Sequence, residues 1–159
     1  MSLYSDKVMD HFQNPRNIGK IDNPDGVGKV GNIICGDVMH LYIKVGKNEA
    51  GEEIVEDVKY ETFGCVAAIS TSSMVTDLAK GQRLEEAMRI DKNDIADSLG
   101  GLPKVKFHCS ILAADALAES IYDYLSKNNR EIPEDLKERH NKIQKEKEIL
   151  EKRYGKWMK

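Results

Sequence analysis

Three cysteines are the residues of this sequence with the most evident chemistry, and they lie far apart along the chain. Asp37 follows the first cysteine by two positions, and His108 directly precedes the last. The resulting set of soft and borderline donors comprises Cys35, Asp37, Cys65, His108 and Cys109. If the fold gathers these residues, they suit zinc or an iron–sulfur cluster. The sequence therefore predicts a metal centre whose ligands come from three separate segments.

The local sequence favours metal ligation over the common alternative, in which each cysteine is a small buried apolar residue. Gly36 and Gly64, beside the first two cysteines, permit turns in which the backbone approaches a ligand closely. In an extended segment the side chains of Cys35 and Asp37 project to the same side. Cys109 is predicted to lie at a helix N-terminus, which stabilises a thiolate. The absence of a Cys-x-x-Cys pair argues against a thioredoxin-like dithiol and a zinc knuckle.

The remaining histidines are weaker candidates for the site. His40 is predicted on the polar face of a strand and His140 on a charged helix, so both are expected at the surface. His11 is a candidate for a supporting role next to the ligands, but no feature of the sequence assigns it that role.

Hydrophobic periodicity predicts the elements that must position these residues. Strands are predicted over 39–45 and 54–63, with a weaker signal over 30–34. A short helix is predicted over 3–13 and a loop over 14–32, because Asn14-Pro15 ends the helix. Further helices are predicted over 67–80, 84–88, 94–99 and 108–126, with Ile111 on the apolar face of the last. Strands followed by helices indicate an α+β fold, in which a small antiparallel sheet is covered by helices.

Composition limits the class of protein and its partners. The chain has 159 residues, of which 40% are hydrophobic and 32% charged, as expected for a soluble globular protein. Its net charge of −3 gives no electrostatic support for binding nucleic acid or an anionic membrane. No apolar run approaches the length of a membrane span, and no signal or transit segment opens the sequence, so a cytoplasmic location is expected. Three cysteines in a reducing compartment argue against a disulfide framework.

The C-terminal segment differs in character from the rest of the chain. Residues 134–159 carry nine Lys or Arg and six Asp or Glu. Leu136, Ile143, Leu150 and Trp157 recur at intervals of seven, which indicates a narrow apolar seam on a long charged helix. We expect this helix to pack on its own domain rather than on a partner, and we divide the chain into a globular domain, 1–130, and a helical extension, 131–159.

Around the three cysteines the sequence resembles the IscU/NifU family of iron–sulfur cluster assembly scaffolds. The matching stretches are residues 4–12, 14–17, 35–39, 63–65, 72–73, 94–96, 105–106 and 108–113. The resemblance covers about residues 3–127, and a histidine before Cys109 resembles the IscU branch of the family. It implies an α+β fold with a three-stranded antiparallel sheet covered by helices.

The resemblance also implies a function and the residues that carry it. Members of the family are scaffolds rather than enzymes: they accept sulfur from a cysteine desulfurase, take up iron, and hold a labile [2Fe–2S] cluster for transfer to apo-proteins. Cys35, Asp37, Cys65, His108 and Cys109 match the ligand positions, and Cys109 matches the persulfide acceptor. A mixed set of thiolates and a harder carboxylate can hold a cluster without trapping it.

Several partners and one rival function complete the expectation. The resemblance allows an electron-donating ferredoxin and a homodimer. The family's Leu-Pro-Pro-Val-Lys segment, recognised by a dedicated heat-shock chaperone, is Leu-Pro-Lys-Val-Lys at residues 102–106, which argues against that partner. The rival is a structural or catalytic zinc protein that uses the same ligands.

Overall fold

A three-stranded antiparallel sheet forms the centre of the computed structural model, which describes residues 3–31 and 37–154. The strands are β1 (Gly26–Gly31), β2 (Val38–Lys47) and β3 (Glu53–Phe63), and they lie in the order β1-β2-β3. Strand β2 alternates as predicted, so that Met39, Leu41 and Ile43 are fully buried. The α+β class and the three-stranded antiparallel sheet are both confirmed.

Six α-helices occur in the described residues: α1 (Asp6–Gln13), α2 (Val66–Ala79), α3 (Leu84–Ala87), α4 (Lys92–Ser98), α5 (His108–Lys127) and α6 (Glu134–Tyr154). A 3₁₀ turn at Lys104–Lys106 leads into α5. None of these helices has a stretch that is both long and apolar enough to cross a lipid bilayer. Each predicted helix is present, and the ends that the structure describes differ from the predicted ends by no more than three residues.

The helix ends follow from local chemistry. Ser5 begins α1, because its hydroxyl accepts a hydrogen bond from the Val8 backbone N–H at 3.1 Å. Helix α2 ends before Gly81, which takes a positive φ of 85° as a C-terminal glycine does. Ile111, which was predicted on the apolar face of α5, is instead 38% exposed.

Strand β1 lies in a segment predicted to be a loop, and that prediction is wrong for Gly26–Gly31. A Cβ on Gly28 would lie 2.1 Å from the Ala116 carbonyl oxygen, and one on Gly26 would lie 2.1 Å from that of Ser120. The backbone of α5 therefore passes too close to the strand for a side chain, and glycine is required. Of the residues with the weaker strand signal, 30 and 31 lie in β1, and 32–34 lie outside the described residues.

Helix α6 packs along α5, as expected for the C-terminal segment. Leu136 and Ile143, the first two residues of the predicted seam, are both buried. Trp157 and the side chain of Leu150 lie outside the described residues. The described part of α6 is therefore held to its own domain by the apolar residues that the heptad spacing singled out.

Polar contacts between α5 and α6 add to this packing. His140 Nδ1 lies 2.7 Å from Glu119 Oε2, and Gln144 Nε2 donates to Glu119 Oε1 at 3.1 Å. The His140 ring also stacks on Tyr122, with 3.6 Å between ring centroids. The expectation of a surface histidine at position 140 is thus wrong, because its half-buried ring pairs with a buried carboxylate. A polar residue on a charged helix becomes buried where a neighbouring helix supplies its partner.

Candidate metal centre

Asp37, His108 and Cys109 meet at one end of the sheet. Each offers one ligand atom, and the carboxylate oxygen, imidazole nitrogen and sulfur all lie within 4.8 Å of one another. The Cys109 thiol donates to Asp37 Oδ2 across 3.7 Å, a separation acceptable for a sulfur donor. The fold thus brings together three of the five residues predicted as ligands.

Sheet topology explains why two of the cysteine segments meet. Strands β2 and β3 are antiparallel, and Val38 at the start of β2 pairs with Phe63 at the end of β3. Asp37 directly precedes β2, and Gly64 and Cys65 directly follow β3. These residues therefore lie at the same end of the strand pair. The β2–β3 register by itself thus places Asp37 beside the second cysteine segment.

The packing of α2 against α5 delivers the third segment. His108 and Cys109 occupy the first turn of α5, as the sequence predicted. Cys109 packs against Ala67 and Ala68 at the start of α2. Thr71 Oγ1 on α2 also donates to the Cys109 carbonyl oxygen at 3.2 Å. Small residues on α2 allow the N-terminus of α5 to approach closely enough to join the centre.

The centre is largely shielded from water. Asp37 is 5% exposed and Cys109 is 1% exposed. Tyr4 and Leu102 pack against the apolar cluster that contains Cys109. A sulfur donor must reach the thiol that accepts its sulfur, so the burial of Cys109 matters for the sulfur delivery that the resemblance implies. A buried set of ligands strengthens electrostatic interactions among its members, because water does not screen them.

Cys65 lies beside this group rather than within it. It is the N-cap residue of α2, is half-buried, and packs against the same apolar cluster as Cys109. Its sulfur is not within 4.8 Å of all three grouped atoms. Lys106 lies close enough to Cys65 that the charge of a Cys65 thiolate would raise the pKa of the lysine, and its ammonium group can balance negative charge near the centre.

Cys35, the remaining predicted ligand, and Gly36 lie outside the described residues. Asp37, two positions after Cys35, is the first described residue on that side of the gap. Ligation by Cys35 therefore stays a prediction from the sequence.

One buried atom supports the assignment of a metal centre. His108 Nε2 is inaccessible to solvent and has no hydrogen-bond partner among the described residues. An unpaired buried imidazole nitrogen is costly in a structural role, but it is suited to donating a lone pair to a metal ion. Thiol, imidazole and carboxylate are also the ligand types that zinc and iron–sulfur sites use.

The other histidines take no part in this group. His11 is buried, and its Nδ1 lies 2.7 Å from Ser73 Oγ, so it supports the packing of α1 on α2. His40 is half-buried rather than fully at the surface, and burial lowers its pKa. The sequence did not reveal the residues that cover or anchor Cys109, namely Tyr4, Leu102 and Thr71, because their contacts depend on tertiary packing.

Comparison with known proteins identifies what this arrangement is similar to. The family described as "NifU-like N terminal domain" matches residues 3–131. The chain is 59% identical over 128 residues to "Iron-sulfur cluster assembly scaffold protein IscU 1" of Archaeoglobus fulgidus, covering 80% of each chain. It is 54% identical over 127 residues to "Iron-sulfur cluster assembly scaffold protein IscU" of Escherichia coli strain K12, covering 78% of this chain and 95% of the relative.

A solved structure shares the fold. The chain superposes with a TM-score of 0.58 on the structure titled as a nitrogen-fixing NifU-like protein (N-terminal) from Brucella abortus, with 20% identity over 79% of this chain and 96% of the other. At this identity the likeness concerns the fold alone, and it agrees with the three-stranded sheet and its helices.

Proposed function

This chain belongs to the family of NifU-like N-terminal domains, and on that basis we propose that it is a scaffold on which iron–sulfur clusters are assembled. The observation that carries the proposal is the convergence of Asp37, His108 and Cys109 within 4.8 Å. These atoms come from two segments that are distant in sequence, and the His108 ring also carries an Nε2 that has no hydrogen-bond partner among the described residues. The cluster is the cargo of such a scaffold.

The cargo in this proposal is a labile [2Fe–2S] cluster held by Cys35, Asp37, Cys65, His108 and Cys109. Thiolates bind iron–sulfide units strongly, whereas a carboxylate is a harder ligand and leaves more readily. Five candidate donors exceed the four that one cluster needs, so a ligand can be exchanged without opening the site. The mixed set supports temporary holding of the cluster rather than permanent storage.

Sulfur arrives in this proposal as a persulfide on Cys109, supplied by a cysteine desulfurase. The Cys109 thiolate attacks the outer sulfur of the donor's persulfide, forms a new S–S bond, and displaces the donor's cysteine thiolate. Its place in the first turn of α5 favours the thiolate form. Because Cys109 is buried, and Tyr4 and Leu102 pack against its apolar cluster, the packing around Cys109 must open for the donor to reach the sulfur.

The remaining partners are proposed in the same way. Apo-forms of iron–sulfur proteins receive the cluster, and a ferredoxin supplies electrons. A homodimer and a cytoplasmic location stay predictions. The rival function, a zinc protein, would use the same ligand atoms. Family membership supports the scaffold, and no contact in the described part of the chain favours the rival.

Anaerobic reconstitution tests the proposal. The protein is mixed with ferrous iron, cysteine and a cysteine desulfurase, and the visible absorption of a cluster is recorded. Apo-ferredoxin is then added, and transfer is followed by circular dichroism. We expect a cluster to form and then to leave the protein. A preparation that binds only zinc, forms no visible chromophore and transfers nothing would contradict the proposed function.

A further inference from the structure

We propose that Gly64 is a positioning residue for Asp37, because the absence of a side chain at Gly64 leaves the space that the Asp37 carboxylate occupies. The inference rests on the proposed function, since it concerns the same site. Gly64 has no side-chain ligand atom, but it controls where one of the ligands, Asp37, lies.

The space in question is narrow. A Cβ built on Gly64 would lie 2.7 Å from Asp37 Oδ1 and 2.8 Å from Asp37 Cγ. Both separations are far below ordinary van der Waals contact, so a side chain at Gly64 and the carboxylate cannot coexist in their present positions. Any residue other than glycine at position 64 must therefore displace the Asp37 carboxylate from its present position.

Backbone conformation does not explain why residue 64 is a glycine. The described glycines with positive φ are Gly19, Gly51, Gly81, Gly100 and Gly101, and Gly64 is not among them. Its backbone is thus accessible to residues with side chains. The requirement at this position is for space, and the group that fills the space is the Asp37 carboxylate.

Displacement of the carboxylate would have a direct effect on the ligand group. Asp37 is buried, and its Oδ2 accepts the Cys109 thiol while Oδ1 faces Gly64. One side of the carboxylate is therefore set by Cys109 and the other by the bare backbone of Gly64. A side chain on Gly64 would shift the carboxylate relative to His108 and Cys109, which it must join to bind a metal.

A second contact has to be separated from the first. The same Cβ would lie 2.7 Å from the Ala68 Cβ on α2. Gly64→Ala alone would therefore disturb both the carboxylate and the helix. Ala68→Gly removes the helix contact, so Gly64→Ala made in the Ala68→Gly background tests the carboxylate alone.

A double-mutant cycle with cobalt as the probe tests the inference. Apo-protein is titrated anaerobically with Co²⁺, whose visible absorption reports both affinity and ligand geometry. Gly64→Ala is made in the Ala68→Gly background, once with Asp37 present and once with Asp37→Ala. Gly31→Ala serves as the matched control, because a Cβ there would lie 3.7 Å from the Asp37 backbone oxygen, an ordinary contact.

With Asp37 present, Gly64→Ala should weaken cobalt binding about tenfold and change the cobalt spectrum, as loss of a supporting contact at a metal site does. With Asp37→Ala, the same change should alter the affinity less than about twofold, since no carboxylate remains to displace. Gly31→Ala should leave affinity and spectrum unchanged. Equal effects of Gly64→Ala in both backgrounds, or no effect in either, would overturn the inference while leaving the proposed function intact.

Folding gives a second readout that requires no metal. If the carboxylate contact is as tight as the geometry indicates, Asp37→Ala should raise the thermal midpoint of the Gly64→Ala/Ala68→Gly apo-protein more than it raises that of Ala68→Gly. Failure of the Gly64→Ala chains to fold in both backgrounds would also overturn the inference. Absence of any cobalt binding by the parent protein would instead contradict the proposed site itself.

Discussion

The sulfur of Cys109 lies 3.7 Å from Oδ2 of Asp37, although 72 residues separate the two along the chain. This contact joins the end of the sheet at which β2 begins to the start of α5. It places a soft ligand, the thiol, beside a hard one, the carboxylate. Both residues are buried, so the contact between them lies in the protein interior and not at the solvent-exposed surface.

Replacing Asp37 with alanine should slow the release of a cluster. The carboxylate is the hardest ligand of a mostly thiolate set, so an incoming thiol should displace it most easily. His108 has an Nε2 with no hydrogen-bond partner in the described part of the chain, and one of its ring nitrogens lies within 4.8 Å of the Cys109 sulfur, close enough to take the vacant position. Asp37→Ala should therefore still assemble a [2Fe–2S] cluster, and the decay of its absorbance after addition of apo-ferredoxin should be slower than in the parent. Faster loss would show that Asp37 anchors the cluster.

Persulfidation should occur at Cys109, because its position in the first turn of α5 favours the thiolate. After incubation with a cysteine desulfurase and cysteine, peptide mass spectra should show one added sulfur there. Tyr4→Ala should speed the modification, since Tyr4 packs over the apolar cluster that contains Cys109. Sulfur found on Cys65 or Cys35, with Cys109 unmodified, would contradict the assignment.

Truncation after Arg130 should weaken the fold but preserve the cluster. No predicted ligand lies in α6, whereas Leu136 and Ile143 lose their buried contacts. The free energy of unfolding should fall by up to about 6 kcal/mol, from two buried aliphatic side chains. Urea unfolding measures this loss, and Leu136→Ala in the full chain should give an intermediate value. A truncated protein that is folded but no longer binds reconstituted iron and sulfide would refute this separation of roles.

Gly28→Ala should destabilise the domain strongly. Its Cβ would lie 2.1 Å from the Ala116 carbonyl oxygen, so β1 and α5 would have to move apart. Overpacking of this kind costs about 1–3 kcal/mol or more in the free energy of unfolding. Gly31→Ala, on the same strand but with its nearest contact at 3.7 Å, is the control and should change stability little. Equal stability of the two variants would show that β1 and α5 are less closely packed.

His11 should make the fold less stable in mild acid. Burial lowers its pKa below the usual 6.5, and the neighbouring Arg16 charge adds to the shift. Between pH 6.5 and the lower pKa that His11 has in the folded state, the unfolded chain binds more protons than the folded chain. The free energy of unfolding therefore falls as the pH falls through this range. Urea unfolding at about pH 7.5 and about pH 5.5 should show this decline, and His11→Gln should reduce it.

His40 provides the comparison for the pH experiment, since burial also lowers its pKa and its contribution has the same sign. Part of the decline should therefore persist in His11→Gln and become smaller when His40 is replaced as well. An unchanged pH dependence in His11→Gln would mean that the buried ring does not contribute.

Much of the fold could be predicted from local sequence. The alternation in β2, the long apolar face of α5 and the heptad spacing in α6 each reflect a period that the sequence displays directly. The ligand candidates were also evident, because thiol, carboxylate and imidazole are recognisable by residue type and by the family motifs around them. These features single out Asp37, His108 and Cys109 among the candidates, and the structure brings their ligand atoms together.

Tertiary structure decided what depended on contacts between distant residues. Gly26 and Gly28 of β1 resemble glycines of a loop until α5 is packed 2.1 Å from where their side chains would begin. His140 resembles a surface residue until Glu119 of α5 faces it. Cys109 is buried in a cluster with Ala67 and Ala68 of α2, against which Tyr4 packs, and no local pattern connects these residues. Sequence determines which groups are available and the period of each element, whereas burial and hydrogen-bond partners depend on which elements pack together.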